Sequence, residues 1–151
     1  MKSEKLILLV EDWETDVLLF TEALRRSGLG NQVMVMPDGN ETIGYLSGKG
    51  QYADRERFPL PTVLLLDLNL PKTRGWEVIQ WVRSQEEFDS LLVVVLTGSF
   101  RTGDLHRAYQ MGANSFLGKP CSAQDLVNLA NSFPEHWLRT ADFAGSKGVA
   151  H

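Results

Sequence analysis

The chain has 151 residues, a net charge of -4 and 43% hydrophobic residues, which fits one globular domain rather than a disordered or fibrous chain. The acidic balance gives no electrostatic reason to bind nucleic acid or an anionic membrane, and neither partner is expected. The single cysteine, Cys121, excludes an internal disulfide and a paired-cysteine zinc site. The first apolar run, Leu6–Val10, closes on two acids and is too short for a signal-peptide core or a membrane span, so a cytoplasmic protein is expected.

Along the chain, short runs rich in Val, Ile and Leu occur at Leu6–Val10, Val33–Met36, Val63–Leu66 and Leu92–Leu96, with a weaker one at Ser115–Leu117. They are too short for helices and lack polar alternation, which predicts strands buried on both faces. Stretches with helical spacing lie between them. Val17, Phe20, Thr21 and Leu24 form one stripe, closed by Gly28, and Asn40–Leu46 forms a weaker helix ended by Gly48. Val78, Ile79 and Val82 form a third, opened at Gly75, and Leu105, Ala108 and Tyr109 a fourth, ending at Gly112. The last and longest stripe is Leu126, Leu129, Ala130, Phe133 and Trp137. Strands alternating with helices predict an α/β fold, an open parallel sheet covered on both sides. Two segments break the rhythm: a polar connection at Gly48–Pro61, and a small, polar tail after Leu138. One domain is therefore expected over residues 5–138, with 139–151 a tail that is flexible or serves as a dimer arm, Phe143 being its one sizeable apolar group.

Polar residues follow the strands. The first run ends in Glu11-Asp12, the third in Asp67-Leu68-Asn69, the fourth in Thr97-Gly98-Ser99 and the fifth in Lys119-Pro120. Open parallel sheets place their working crevice at the carboxyl ends of the strands, where strand order reverses. If the first and third strands flank that point, Glu11, Asp12 and Asp67 converge there, with Thr97 and Lys119 facing them. Each residue also has a plainer reading: Asp12 as a helix cap, Thr97 as a turn residue, Lys119 as a solvated charge. Four polar clusters on four strand ends favour the site. Clustered carboxylates repel and therefore hold a proton or recruit a cation, and an oxygen-only donor set suits Mg²⁺ better than zinc or copper. A carboxylate beside Mg²⁺ is also a nucleophile toward phosphorus, and Lys119 and Thr97 would then bind phosphoryl oxygens.

The stretches LLVEDWETD, VLLLDLNLP, VVVLTGS and GANSFLGKP resemble, in order and spacing, the receiver domain of two-component response regulators. The resemblance implies a flavodoxin-like, doubly wound (βα)5 fold with strand order 2-1-3-4-5. It implies that Asp67 accepts a phosphoryl group from a sensor histidine kinase. It further implies that Glu11, Asp12, Asp67 and the Asn69 carbonyl hold Mg²⁺, that Thr97 is the switch hydroxyl, Phe116 the switch aromatic and Lys119 the phosphate contact. The Lys119-Pro120 bond resembles the family's cis peptide, and Trp13 stands where a polar residue is more usual. EALRRSGLGNQV, the QYADRERFPLP insert, DLNLPKTRGWEV and FPEHWL are similar to single-domain regulators paired with phytochrome-type kinases. That implies a regulator without an output domain, working as a signalling protein rather than an enzyme. Its kinase would meet Glu14–Arg25 and Cys121–Ala123, and a homodimer is expected through the fourth helix, fifth strand and fifth helix.

Other classes fit less well. A dehalogenase-like phosphatase needs a second acid two residues after its nucleophile, where this chain has Asn69. A flavodoxin needs a hydroxyl- and glycine-rich phosphate loop after the first strand, where Glu11-Asp12 would repel the cofactor. A pseudo-receiver, signalling without phosphate, need not keep the full set of Glu11, Asp12, Asp67, Thr97 and Lys119.

Overall fold

The computed structural model describes residues 5–68, 75–98 and 102–138. The proposed metal ligand Asn69 and the tail with Phe143 lie outside the described residues. Five strands, β1 (Leu6–Val10), β2 (Gln32–Met36), β3 (Val63–Asp67), β4 (Leu92–Thr97) and β5 (Ser115–Gly118), alternate with five helices. The helices are α1 (Glu14–Ser27), α2 (Gly39–Ser47), α3 (Gly75–Arg83), α4 (Thr102–Met111) and α5 (Ala123–Ser132). The strands form one parallel sheet in the order β2-β1-β3-β4-β5, the expected doubly wound arrangement.

The strands are apolar at nearly every position because each face of the sheet meets helices. Leu6, Leu8, Val10, Leu64, Leu66, Val93 and Val95 pack with Tyr45, Leu46, Val78, Ile79 and Val82 on one side. Ile7, Leu9, Val63, Leu65, Val94, Leu96 and Leu117 pack with Phe20, Leu24, Leu126, Leu129 and Ala130 on the other. The edge strand β2 is the exception, with Gln32 and Val35 exposed. Gly28 ends α1 in the left-handed region at φ 82°, which a side chain would strain. Among the described residues no helix is long and apolar enough to cross a membrane.

One expectation needs correction. The apolar stripe of the last helix does not run on to Phe133 and Trp137: α5 stops at Ser132, and Pro134 opens a 3-10 turn, Pro134–His136. Trp137 is buried because the chain folds back beneath the sheet. There the His136 carbonyl accepts bonds from the Thr62 hydroxyl (2.7 Å) and the Asn31 amide (3.3 Å), and the Leu138 N–H donates to Asn31 Oδ1 (2.7 Å). The polar Gly48–Pro61 connection packs against α2. Tyr52 and Phe58 pack on Tyr45, and Arg55 donates to the Tyr45 and Leu46 carbonyls (both 2.9 Å) at the end of α2.

Candidate phosphoryl-acceptor site

β1 and β3 are neighbours with α1 and α3 on opposite faces, so the strand order reverses between them and the crevice opens at their carboxyl ends. β1 delivers Glu11 and Asp12, and β3 delivers Asp67. One oxygen from each of the three carboxylates lies within 4.8 Å of the others. Glu11 and Asp67 are each 3% exposed, whereas Asp12 reaches solvent. Asp12 is not the cap of α1: Trp13 holds that position, without a side-chain cap bond. The plainer reading of Asp12 therefore falls. The Glu11 carboxylate accepts the Trp13 backbone N–H at 3.2 Å, which fixes it at the mouth of the strand. Trp13 itself is 66% exposed, a large apolar surface beside the acids.

Gly75, at the start of α3, lets that helix pass close to the acceptor strand. A Cβ there would stand 3.0 Å from Leu68 Cα and 3.3 Å from the Asp67 carbonyl oxygen. On the far side, β4 brings Thr97, which is buried, and its carbonyl accepts the Lys119 N–H at 2.9 Å. The Lys119-Pro120 peptide is cis, as expected. Phe116 pairs with Val95 in the β4–β5 register, is half-buried, and meets the exposed Tyr109 edge-on with ring centroids 6.3 Å apart.

Lys119 closes the site. Its ammonium lies 2.7 Å from Asp67 Oδ2, 3.0 Å from Asp16 Oδ2 and 3.1 Å from Glu11 Oε1. Burial alone would lower the lysine pKa, but hydrogen bonds to Asp67, Asp16 and Glu11 overcome it and raise the pKa above its ordinary value. The Glu11 carboxyl is also raised, by burial first and then by the like charge of Asp67, against the bonds from Lys119 and the Trp13 backbone. The structure thus gathers Glu11, Asp12, Asp67 and Lys119 around one point and sets Thr97 on the intervening strand end. Sequence reasoning missed Asp16. A usable signal was present: Asp16 stands four residues before the buried Phe20 on α1, which turns it inward toward the sheet ends.

This arrangement matches a known family. The response regulator receiver domain model matches residues 7–131. The chain belongs to that family. It is 35% identical over 136 residues to the response regulator Rcp1 of Synechocystis sp., covering 90% of each chain. Among solved structures it resembles the bacteriophytochrome response regulator RtBRR (42% identity, TM-score 0.74, covering 83% of this chain and 75% of that one). It also resembles the Mn²⁺-bound form of Rcp1 (34% identity, TM-score 0.69, covering 85% and 90%). The receiver domain is thus related to phytochrome response regulators, and phosphorylation and Mg²⁺ are general features of its family.

Proposed function

We propose that Asp67 accepts a phosphoryl group from the phosphohistidine of a sensor kinase of the phytochrome type, and that this receiver thereby carries a signal in the cytoplasm. In the transfer, an Asp67 carboxylate oxygen forms the new O–P bond. The N–P bond to the kinase imidazole breaks, and the imidazole keeps the electron pair. The observation that carries the reading is the Lys119 ammonium 2.7 Å from Asp67, beside a trio of carboxylates within 4.8 Å of one another.

An oxygen-only trio of that spacing fits a small hard cation, so Glu11, Asp12 and Asp67 would hold Mg²⁺, with the Asn69 carbonyl as a further ligand. When bound, the ion supplies charge neutralisation at the carboxylate and the incoming phosphoryl group. Lys119 would pair with phosphoryl oxygens from the β5 side. The Thr97 hydroxyl would turn toward them, and Phe116 would swing inward, altering the face it shares with Tyr109. We assign kinase docking to Glu14–Arg25, where Leu18 and Leu19 are exposed next to the exposed Trp13, and to Cys121–Ala123. A second copy would bind through α4, β5 and α5, the face that carries Phe116.

The test is direct. Incubated with Mg²⁺ and acetyl phosphate, the chain gains one base-labile, hydroxylamine-sensitive phosphoryl group by intact mass, and Asp67→Asn gains none. Equal uptake by the variant, or no uptake by the parent, refutes the reading.

A further inference from the structure

An ammonium has three N–H donors, and the three carboxylates around Lys119 account for all of them. The three acceptors differ in origin. Glu11 and Asp67 sit on strand ends and belong to the trio that could share one cation, whereas Asp16 comes from the first turn of α1 and lies outside that trio. Cation binding gives Glu11 and Asp67 a second positive partner. Among the described residues Asp16 keeps only Lys119 as a cationic partner, in a contact that leaves its side chain 24% exposed and that of Lys119 20% exposed.

We propose that Asp16 is a positioning residue that restrains Lys119 and thereby slows phosphoryl uptake at Asp67, an inference that rests on the phosphoryl-acceptor reading above. The restraint has two physical parts. Asp16 holds one donor of the ammonium on the α1 side, so the cation is shared between a helix carboxylate and the acceptor. It also keeps an extra negative charge on the same ammonium that a phosphoryl group must use, and partial burial limits how far water screens it. Sharing one cation among three carboxylates weakens its pull on each. A side chain of the same shape without the charge leaves more of Lys119 to the acceptor.

The experiment compares initial rates of acetyl phosphate uptake, by intact mass with Mg²⁺ in excess, for the full chain and its variants. Uptake by the parent and none by Asp67→Asn establish the acceptor independently, so a failure there falls on the proposed function and not on Asp16. Given that, Asp16→Asn is expected to accelerate uptake about fivefold, within the range of coupling between contacting charged groups. Asp16→Glu, which restores the charge, is expected to stay within about twofold of the parent. In a Lys119→Gln background, followed for hours so that slow uptake is counted, the gain from Asp16→Asn is expected to vanish. An unchanged or slower rate in Asp16→Asn overturns the proposal. A gain that persists without Lys119 also overturns it, because Asp16 would then act on the phosphodonor rather than through the lysine.

Discussion

Asp12→Asn in the absence of divalent metal is the sharpest probe of whether the acid cluster is a strained cation site. Asp12 lies within 4.8 Å of one oxygen each on Glu11 and Asp67. At that distance and an effective dielectric of about 20, each like-charge pair costs about 3.5 kcal/mol. Lys119 offsets Glu11 and Asp67 directly, while among the described residues no cation pairs with Asp12. Its two repulsions would sum to about 7 kcal/mol unscreened, but Asp12 is exposed and water removes most of that, leaving about 1 kcal/mol. The isosteric amide should therefore raise the melting temperature in EDTA by about 2–4 °C for a domain of this size. Mg²⁺ should reverse the order. A bound ion at about a hundred times its Kd stabilises the parent by about 2.7 kcal/mol, and a variant missing one ligand gains less. The measurement is thermal unfolding by circular dichroism with EDTA and with Mg²⁺. A lower melting temperature for Asp12→Asn in EDTA would mean that Asp12 stabilises the fold, and an equal Mg²⁺ gain in both chains would remove it from the ligand set. Asp67→Asn is a different case. It relieves the same kind of repulsion but loses the 2.7 Å pair with Lys119, so the two effects oppose each other.

Two further outcomes follow from the scaffold. The partly buried Arg83 guanidinium donates to the carbonyls of Gly112 (2.9 Å), Phe88 (3.0 Å) and Leu91 (2.9 Å) and to Asn114 Oδ1 (2.8 Å), tying the end of α4 to the start of β4. Arg83→Met keeps the stem and strands these acceptors, so urea unfolding should show a loss of about 2–4 kcal/mol with an unchanged m-value. Burial, and secondly the Asp125 charge, push the Cys121 thiol up to about 11 from its ordinary value of 9.0. Its alkylation by iodoacetamide should climb with a midpoint near that value and run about a hundredfold slower at pH 8 than an unshifted thiol. The same shift makes the unfolded chain lose its thiol proton first. Stability from this group is then complete below pH 9.0 and is lost as pH rises through 11. An alkylation midpoint near the ordinary thiol value would show that Cys121 is not shielded.

Much of the fold was legible because a strand buried on both faces must be apolar at almost every position, as in Val63–Leu66 and Leu92–Leu96. Strand ends were equally legible: an acid, a threonine or a lysine closing such a run has to sit at the rim of the sheet. What remained hidden required knowing direction in three dimensions. Asp16 reads as one more acid in the first turn of a helix, and only the rotation of α1 brings it against a lysine far along the chain. Trp137 continued a helical spacing, but Pro134 breaks the helix, and the burial comes from backbone and side-chain bonds under the sheet. In the insert, polar residues masked an aromatic group, because Arg55 is polar in composition yet folds back to bond the last carbonyls of α2.

The two ends of the sheet carry opposite kinds of energetics, and this division explains how a strained site persists. At the amino-terminal ends of the strands, Thr62 and Asn31 bond the His136 carbonyl and the Leu138 N–H of the returning segment, which buries Trp137. At the carboxyl ends, Glu11, Asp16 and Asp67 crowd around the ammonium of Lys119 with Asp12 beside them, and Glu11 and Asp67 are almost wholly removed from water. Such a cluster is unfavourable on its own and persists because the rest of the sheet fixes the strand ends that carry it. A phosphoryl group on Asp67 would add about one and a half to two more negative charges. That addition increases the demand on Lys119 and on any bound cation, and the response available to the protein is to move the groups that are least tightly held. Glu11 and Asp67 are fixed by β1 and β3 in the middle of the sheet. Phe116 and Tyr109 lie instead on an edge strand and on a helix with one exposed face. Under the proposed function, the charge change at the centre would be relayed toward the α4–β5 side.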